Sequence, residues 1–504
     1  MSPADDRRDP SGRQRGAARA QGRTQRSASA PSQRRRGSDP ARTAAYDVLR
    51  AVDGSDSYAN LVLPPLLRER HLAGRDAAFA TELAYGTLRL RGRYDAIIAL
   101  AAAREVTTID APALDVLRLG VHQLLGMRVP AHAAVSETVG LAREQLGTGP
   151  SQFVNAVLRT VGRSTPEEWE QRIAEAAGDD ELARLSVTQS HPLWVVRALR
   201  EALVGNGRSA AEIGALLAAD NAAPRVTIVA RPGLADPAEV VGDAGEHVGT
   251  VGSLAPTAVI LSGGDPAALP SVRDGRAGVQ DEGSQLVALA LTEAPLDGPD
   301  ERWLDLCAGP GGKAALLAAV AGERGARIVA NELQAHRARL VEQALRAVPA
   351  DAVEDVRTGD GRTVGTDEPG AYDRVMVDAP CTGLGALRRR PEARWRRTPA
   401  DLAGLSSLQR DLLISALRAV RPGGVVAYVT CSPHLVETQL VVKDALRSVS
   451  RAGIETESID ARAVVRGIAP GGSVELDDTR TDVQLWPHVH GTDAMHLTLL
   501  RRTS

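Results

Sequence analysis

Two cysteines stand where a thiolate can act as a nucleophile. Cys381 lies in VMVDAPCTGLG and Cys431 in VVAYVTCSPH, each just past an apolar, β-branched run that reads as a strand. At the carboxyl edge of a sheet a thiol is presented to a ligand, and once deprotonated it adds to electron-poor carbon. Asp378, three residues before Cys381, supplies an acid–base group beside it. Two bland readings compete, an inert buried thiol and a zinc site made from Cys381, Cys431 and His434. Two cysteines at neighbouring strand ends weaken the first; the second lacks a close Cys pair and a fourth ligand, so no metal is expected. The third cysteine, Cys307, sits inside a glycine-rich turn and reads as packing beneath it. Three cysteines in 504 residues, without tight spacing, argue against a disulfide framework and for a reducing compartment, the cytoplasm.

The turn that holds Cys307, LDLCAGPGGK, joins an apolar strand to a helix. Gly309, Gly311 and Gly312 let backbone approach a ligand with no Cβ in the way, and the helix start offers free N–H groups. Such a turn alone fits a dinucleotide, a phosphate or S-adenosylmethionine. Two acids downstream narrow the choice. Glu332 falls at the end of the next strand, where a carboxylate accepts ribose hydroxyls, and Asp360 follows the third strand, within reach of an adenine amine. Together with the turn they outline an adenosine pocket. Lys313 is followed by Ala314, so the GxxxxGK[ST] phosphate cradle is missing and a nucleotide triphosphatase is disfavoured.

A sulfonium methyl donor beside reactive thiols points to one chemistry in particular. Carbon 5 of cytosine is too weak a nucleophile to take a methyl group directly. Thiolate attack at carbon 6 makes the ring enamine-like at carbon 5, an acid near N3 helps that attack, and a second group later removes the carbon 5 proton. On placement alone, either cysteine can be the attacking one.

These groups need a scaffold of strands and helices in alternation. From Val279 onward the runs RWLDL, KAALLAAVA, RIVAN, AHRARLVEQALRAV, DRVMVD, LQRDLLISALRAV, VVAYVT and MHLTLLR predict a parallel doubly wound sheet with ligands at its carboxyl edge. Ahead of it, PRVTIVARPG and PTAVILSGG predict a small α+β module, reached through helices such as EEWEQRIAEAA. Apolar residues three and four apart in ARTAAYDVLRAV, FATELAYGTLRLRGRYDAIIALA and ALDVLRLGVHQLLGM predict an all-α bundle over residues 43–165. Residues 1–42 hold eleven arginines against four aspartates and almost nothing to bury, the composition of a disordered tail able to gather phosphate charge. The boundaries expected are a tail at 1–42, the bundle at 43–165, linker helices with the small module at 166–278, and the catalytic domain at 279–504. No run approaches the roughly 20 apolar residues of a membrane span. Basic residues are almost all arginine, and Lys313 and Lys443 are the only lysines. The stripe LRRRPEARWRR after Cys381 combines guanidinium groups with Trp395, a pairing suited to unpaired RNA, and makes Arg388, Arg389, Arg390, Arg394 and Trp395 candidate RNA contacts.

Taken together, DLCAGPGGK, NEL, GDGR, DAPCTGLGALRRRPEARW and TCSPHLVET resemble the RNA cytosine-5 methyltransferases, over about the last 220 residues. SYANLVLPPLL, ELAYGTLR, LRLGVHQLLGMRVPAHAAVSETVGLAR and FVNAVLRTVGR resemble the NusB-like RNA-binding domain. The two in this order are similar to the Sun/RsmB type, which methylates a cytidine of bacterial 16S ribosomal RNA. The resemblance implies a NusB-like bundle, a Rossmann-like methyltransferase domain and S-adenosylmethionine bound by Cys307, Ala308, Gly309, Pro310, Gly311, Gly312, Lys313, Glu332, Asp360 and Asp378. It implies that Cys431 attacks and that Cys381 assists product release or proton removal. A monomer acting on 16S RNA before full subunit assembly is the expected form. Gly309 and Ala314 depart from the family's common Ala and Thr, and Asn331–Glu332 from its Val–Asp; no required chemical group is lost. A transfer-RNA methyltransferase and a non-catalytic RNA-binding scaffold are the alternatives, the second disfavoured by the intact set of turn, acids and thiols.

Overall fold

The computed structural model describes residues 39–504 apart from Asp56 and residues 246–248. Most of the arginine-rich tail lies outside the described residues. Its expected end at residue 42 is corrected, because a helix already runs over Pro40–Ser55. The Asp39 carboxylate accepts the Arg42 N–H at 2.9 Å, which with Pro40 in the first turn is a helix start. Arg42 is buried and donates to Gln123 at 2.8 Å.

Among the described residues, seven helices between Pro40 and Val161 form the bundle. Ala111–Leu125 is its axis: nearly every residue from Ala113 to Gln123 is buried, as befits a helix covered on all sides. Leu49, Leu83, Ile98, Leu117, Leu141 and Leu158 share its core. Helices Pro166–Ala176, opened by a Thr165–Glu168 capping box, Glu181–Thr188, Leu193–Gly205 and Ile213–Asn221 lead to the next unit. There β1 (Val226–Ala230), β2 (Gly249–Val251), β3 (Ala258–Leu261) and β4 (Ala277–Val279) make an antiparallel sheet in the order β2-β3-β1-β4.

The catalytic domain is built on β5 (Arg302–Asp305), β6 (Arg327–Glu332), β7 (Val353–Thr358), β8 (Tyr372–Asp378), β9 (Val420–Thr430), β10 (Thr456–Ile459), β11 (Val483–Gln484) and β12 (His496–Arg502). The order is β10-β12-β9-β8-β5-β6-β7, with β11 on β12. β5 to β9 are parallel, whereas β12 runs against both β9 and β10. The expectation of a wholly parallel sheet fails at MHLTLLR. That run alternates as a strand should, but its apolar pattern is the same in either direction. Side chains alternate between two cores. On β9, Val425, Ala427 and Val429 join the core under helices Glu282–Glu293 and Gly312–Glu323, while Val426 and Tyr428 join the one under Asp401–Ala419 and Val441–Arg451. Strand order reverses between β5 and β8, so the crevice for a ligand opens at their carboxyl ends.

Candidate active site

β8 and β9 pair in parallel with Asp378 opposite Val429, so their ends lie side by side. Three residues past Asp378 comes Cys381, and one past Thr430 comes Cys431; their sulfurs stand 3.4 Å apart as free thiols. Gly385 holds the two turns together. Its N–H donates to the Cys431 carbonyl at 2.8 Å, and a Cβ there would fall 2.3 Å from the Ala494 carbonyl oxygen. The glycine in CTGLG is therefore required by close approach.

The two thiols sit in unlike surroundings. Cys431 is held below the ordinary thiol range, chiefly by the hydrogen bond from Cys381; burial and Asp378 oppose this, and the Lys313 and Arg390 cations add to it. Cys381 is pushed well up by the same bond, by burial and by the Glu437 carboxylate. Lys313 donates to Asp378 at 2.8 Å. Burial disfavours its ammonium, but the Asp378 charge outweighs burial and raises its pKa. The lone lysine of the glycine-rich helix is thus a fixed cation between the turn and the thiols.

The turn itself is shaped by its glycines. Gly311 has φ +109°, and a Cβ on it would meet Ala344 Cβ at 2.6 Å and Val341 Cα at 3.0 Å. Gly309 donates to Glu332 Oε2 at 3.0 Å, and a Cβ there would lie 2.1 Å from that oxygen. Glu332 is buried, also accepts the Gln334 N–H at 3.0 Å, and has Arg337 3.6 Å away. Asn331 stitches three strand ends, donating to the carbonyls of Leu306 and Gly359 at 3.0 and 3.1 Å. Asp360 lies at the rim, chelated by Arg362 at 2.6–3.0 Å and held low by it. Cys307 packs its thiol onto the sheet core, as expected, and burial pushes it well up.

Sequence reading passed over Asp305, the last residue of β5. It is fully buried, pushed up to about 7 by burial and by Asp378, and its Oδ2 has no hydrogen-bond partner among the described residues. An orphaned acceptor, open space beside the backbone at Gly312 and Glu332 one strand over fit a nucleoside with a charged tail. Glu437 was passed over too. It is fully buried on the π-helical turn Val436–Leu440, and its carboxylate accepts from Thr382 N at 2.7 Å, Thr382 Oγ1 at 2.5 Å, Ser432 Oγ at 2.6 Å and Gln409 Nε2 at 3.2 Å.

The arginine stripe requires correction. Arg388 and Arg389 are spent on Asp493 and Asp281. Arg394 is wholly buried and donates to the carbonyls of Arg89, Ser190 and Asp220 and to Asn221 Oδ1, at 2.7–3.1 Å. Trp395 lies against Gly92, where its ring would meet any Cβ at 2.5 Å. Arg396 donates to the carbonyls of Val52 and Ser57. The segment fastens the catalytic domain to the helical bundle. A run of guanidinium groups reads alike in water and in a buried interface, and here carbonyls replace phosphates as acceptors. Arg390 differs: it is exposed, its guanidinium lies 5.3 Å from the Tyr58 ring centroid, and that guanidinium has no hydrogen bond or ion pair among the described residues.

Among the described residues no group of three or more His, Cys, Asp or Glu could hold a metal ion, and no helix is long and apolar enough to cross a membrane. A doubly wound sheet with a glycine-rich turn after β5 and reactive groups at the β8 and β9 ends defines a Rossmann-like methyltransferase domain. Comparison with known proteins makes this specific. Residues 293–501 match the family model described as 16S rRNA methyltransferase RsmB/F, and residues 39–163 match the NusB family. The chain is 52% identical over 469 residues to a Mycobacterium tuberculosis (strain ATCC 25618 / H37Rv) protein named as a methyltransferase, covering 93% of this chain and 98% of that one. It is 31% identical over 421 residues to the ribosomal RNA small subunit methyltransferase B of Pseudomonas syringae pv. tomato, covering 82% and 87%. The crystal structure of PH0851 superposes with a TM-score of 0.74 over 92% of this chain and 98% of that one, at 20% identity, and so shares the fold. The chain belongs to the RsmB/F family of 16S rRNA methyltransferases.

Proposed function

We propose that this enzyme transfers a methyl group from S-adenosylmethionine to carbon 5 of one cytidine in 16S ribosomal RNA, with Cys431 as the nucleophile. The observation that carries this reading is the pair of sulfurs 3.4 Å apart at adjacent strand ends, with the Lys313–Asp378 ion pair and Arg390 on the Cys431 side and the Glu437 carboxylate on the Cys381 side. In S-adenosylmethionine the sulfonium makes the methyl group electrophilic. Gly309, Gly311, Gly312 and Glu332 would hold its nucleoside, with Cys307, Ala308 and Pro310 shaping the turn and Asp360 at the rim.

The Cys431 thiolate adds to carbon 6 of the cytosine while the Lys313–Asp378 pair steadies the charge and proton at N3. Carbon 5 then takes the methyl group. A base removes the carbon 5 proton, the carbon 6–sulfur bond breaks, and the thiolate is regenerated; Cys381 is placed to assist this second half. Arg390, whose guanidinium makes no hydrogen bond or ion pair among the described residues, is the RNA contact retained from the five candidates. The bundle supplies further RNA affinity, and the enzyme works as a cytoplasmic monomer on RNA not yet fully assembled into the subunit. Bisulfite mapping of ribosomal and transfer RNA, from cells with and without the protein, tests the assignment. Loss of one 16S 5-methylcytidine is expected; loss only at a transfer-RNA position, or none, would overturn it.

A further inference from the structure

Glu437 is a buried acid that the proposed reaction does not use, yet every group facing its carboxylate is a donor. Thr382 gives both its backbone N–H and its hydroxyl, Ser432 its hydroxyl and Gln409 its amide. The Ser432 oxygen already accepts the His434 N–H at 3.3 Å, so its own proton is free to point at Glu437. Two N–H groups and two hydroxyls thus saturate its two oxygens with hydrogen-bond partners. Thr382 and Ser432 directly follow the two cysteines. The carboxylate therefore ties together the two thiol-bearing turns at the carboxyl ends of β8 and β9. It is itself locked, because the π turn leaves the Glu437 carbonyl to accept the Tyr428 hydroxyl at 2.7 Å.

The clamp is lopsided. Two of its four bonds go to the residue after Cys381, and one to the residue after Cys431. Around Cys431 stand Lys313, Arg390 and Asp378; around Cys381 stand Glu437 and the Tyr428 phenol. Beside Cys431 the Asp378 charge is paired with Lys313 at 2.8 Å and Arg390 adds a further cation, whereas the Glu437 carboxylate faces Cys381, so the Cys381 sulfur is the better place for a shared proton.

We propose that Glu437 is a positioning residue that holds both cysteine turns in register and keeps the single proton of the sulfur pair on Cys381, leaving Cys431 as the thiolate. The assignment of attack to Cys431 rests on the function proposed above, but the proton's place can be read without RNA. Iodoacetamide labelling followed by mass spectrometry reports the reactivity of each thiol in the full chain, and methyl transfer to RNA is measured separately. Wild type is expected to label at Cys431 first. Glu437→Gln keeps the shape and removes the charge, and the Thr382 and Ser432 hydroxyls can turn to accept its amide. The Cys431-to-Cys381 labelling ratio should then fall about tenfold, one pK unit of relative acidity, and kcat should fall with KM for RNA unchanged. Ser432→Ala keeps the Glu437 side chain and cuts its tie to the Cys431 turn, along with the Ser432 contacts to Thr382 Oγ1 and the His434 N–H, so kcat should fall while the ratio holds. An unchanged ratio in Glu437→Gln, equal slowing at both sulfurs, or wild-type kcat in Ser432→Ala would each overturn the proposal. Absence of methyl transfer in wild type would instead overturn the functional reading.

Discussion

Gly309 and Glu332 occupy one space: the carboxylate oxygen that accepts the Gly309 N–H at 3.0 Å sits 2.1 Å from where a Cβ on residue 309 would be. The longer acid at the end of β6 reaches the turn only because the turn has no side chain there. Two of the four residues named above as departing from the common family pattern are therefore a matched pair. Gly309→Ala should weaken cofactor binding about tenfold or more by displacing Glu332, whereas Gly309→Ala with Glu332→Asp should recover most of it. Calorimetric titration with a S-adenosylmethionine analogue measures both; equal loss in the single and double variants would show the two sites to be independent.

The cysteines are separable by trapping. Cys431→Ala should abolish methyl transfer while leaving cofactor binding near normal, and full activity in that variant would sink the assignment. Cys381→Ala should accumulate a covalent protein–RNA adduct on denaturing gels. Adduct seen only in the Cys431 variant would reverse the roles.

Arg394 and Arg390 lie four residues apart and should fail in different ways. Removing the buried Arg394 guanidinium strands four acceptors and a neighbouring acid, at a cost of about 3 kcal/mol or more, read as a fall in Tm or denaturation midpoint. Arg390→Ala should hardly move stability. It should weaken RNA binding and flatten the dependence of log affinity on log salt by roughly 0.7, the slope of one phosphate contact on a single strand.

Stability should depend on pH through Asp220, which is fully buried with neither carboxylate oxygen hydrogen-bonded among the described residues. Burial pushes it up to about 7 from 3.8, against the Arg394, Arg388 and His488 charges; neutral His191 is 3.8 Å away. Between those two values the folded protein keeps a proton that the unfolded chain has released. Its contribution is thus whole below about pH 4, declines as pH rises, and is gone above about 7. Asp305, also raised to about 7, titrates in the same window. Asp220→Asn should therefore shrink the loss of stability between pH 4 and 7 without removing it, as followed by urea unfolding at several pH values. An unchanged slope would contradict the account.

The chemical groups were legible in the sequence because each stands at a strand end, where a short apolar run stops and a polar or glycine-rich turn begins. Asp378, Cys381, Cys431, Glu332 and the glycines of the turn all announce themselves in this way. Glu437 does not, since nothing in VETQL distinguishes a buried clamp from a solvated helix acid. Arg394 misleads for a related reason: its partners Arg89, Ser190, Asp220 and Asn221 lie far away in the chain, and only folding brings them together. The direction of β12 was likewise hidden, because alternation along a strand carries no polarity.

The fastening of residues 388–397 to the helical bundle sets a length scale for the substrate. Arg394, Trp395 and Arg396 peg the chain that leaves Cys381 to the same helices that bear Arg89, Gly92 and Val52. The bundle and the thiol pair are in this way the two jaws of a caliper with a fixed gap. On the function proposed above, an RNA held by one jaw would be offered to the other at a set distance along its fold, so that a cytidine would be selected by where it falls and not only by the bases around it.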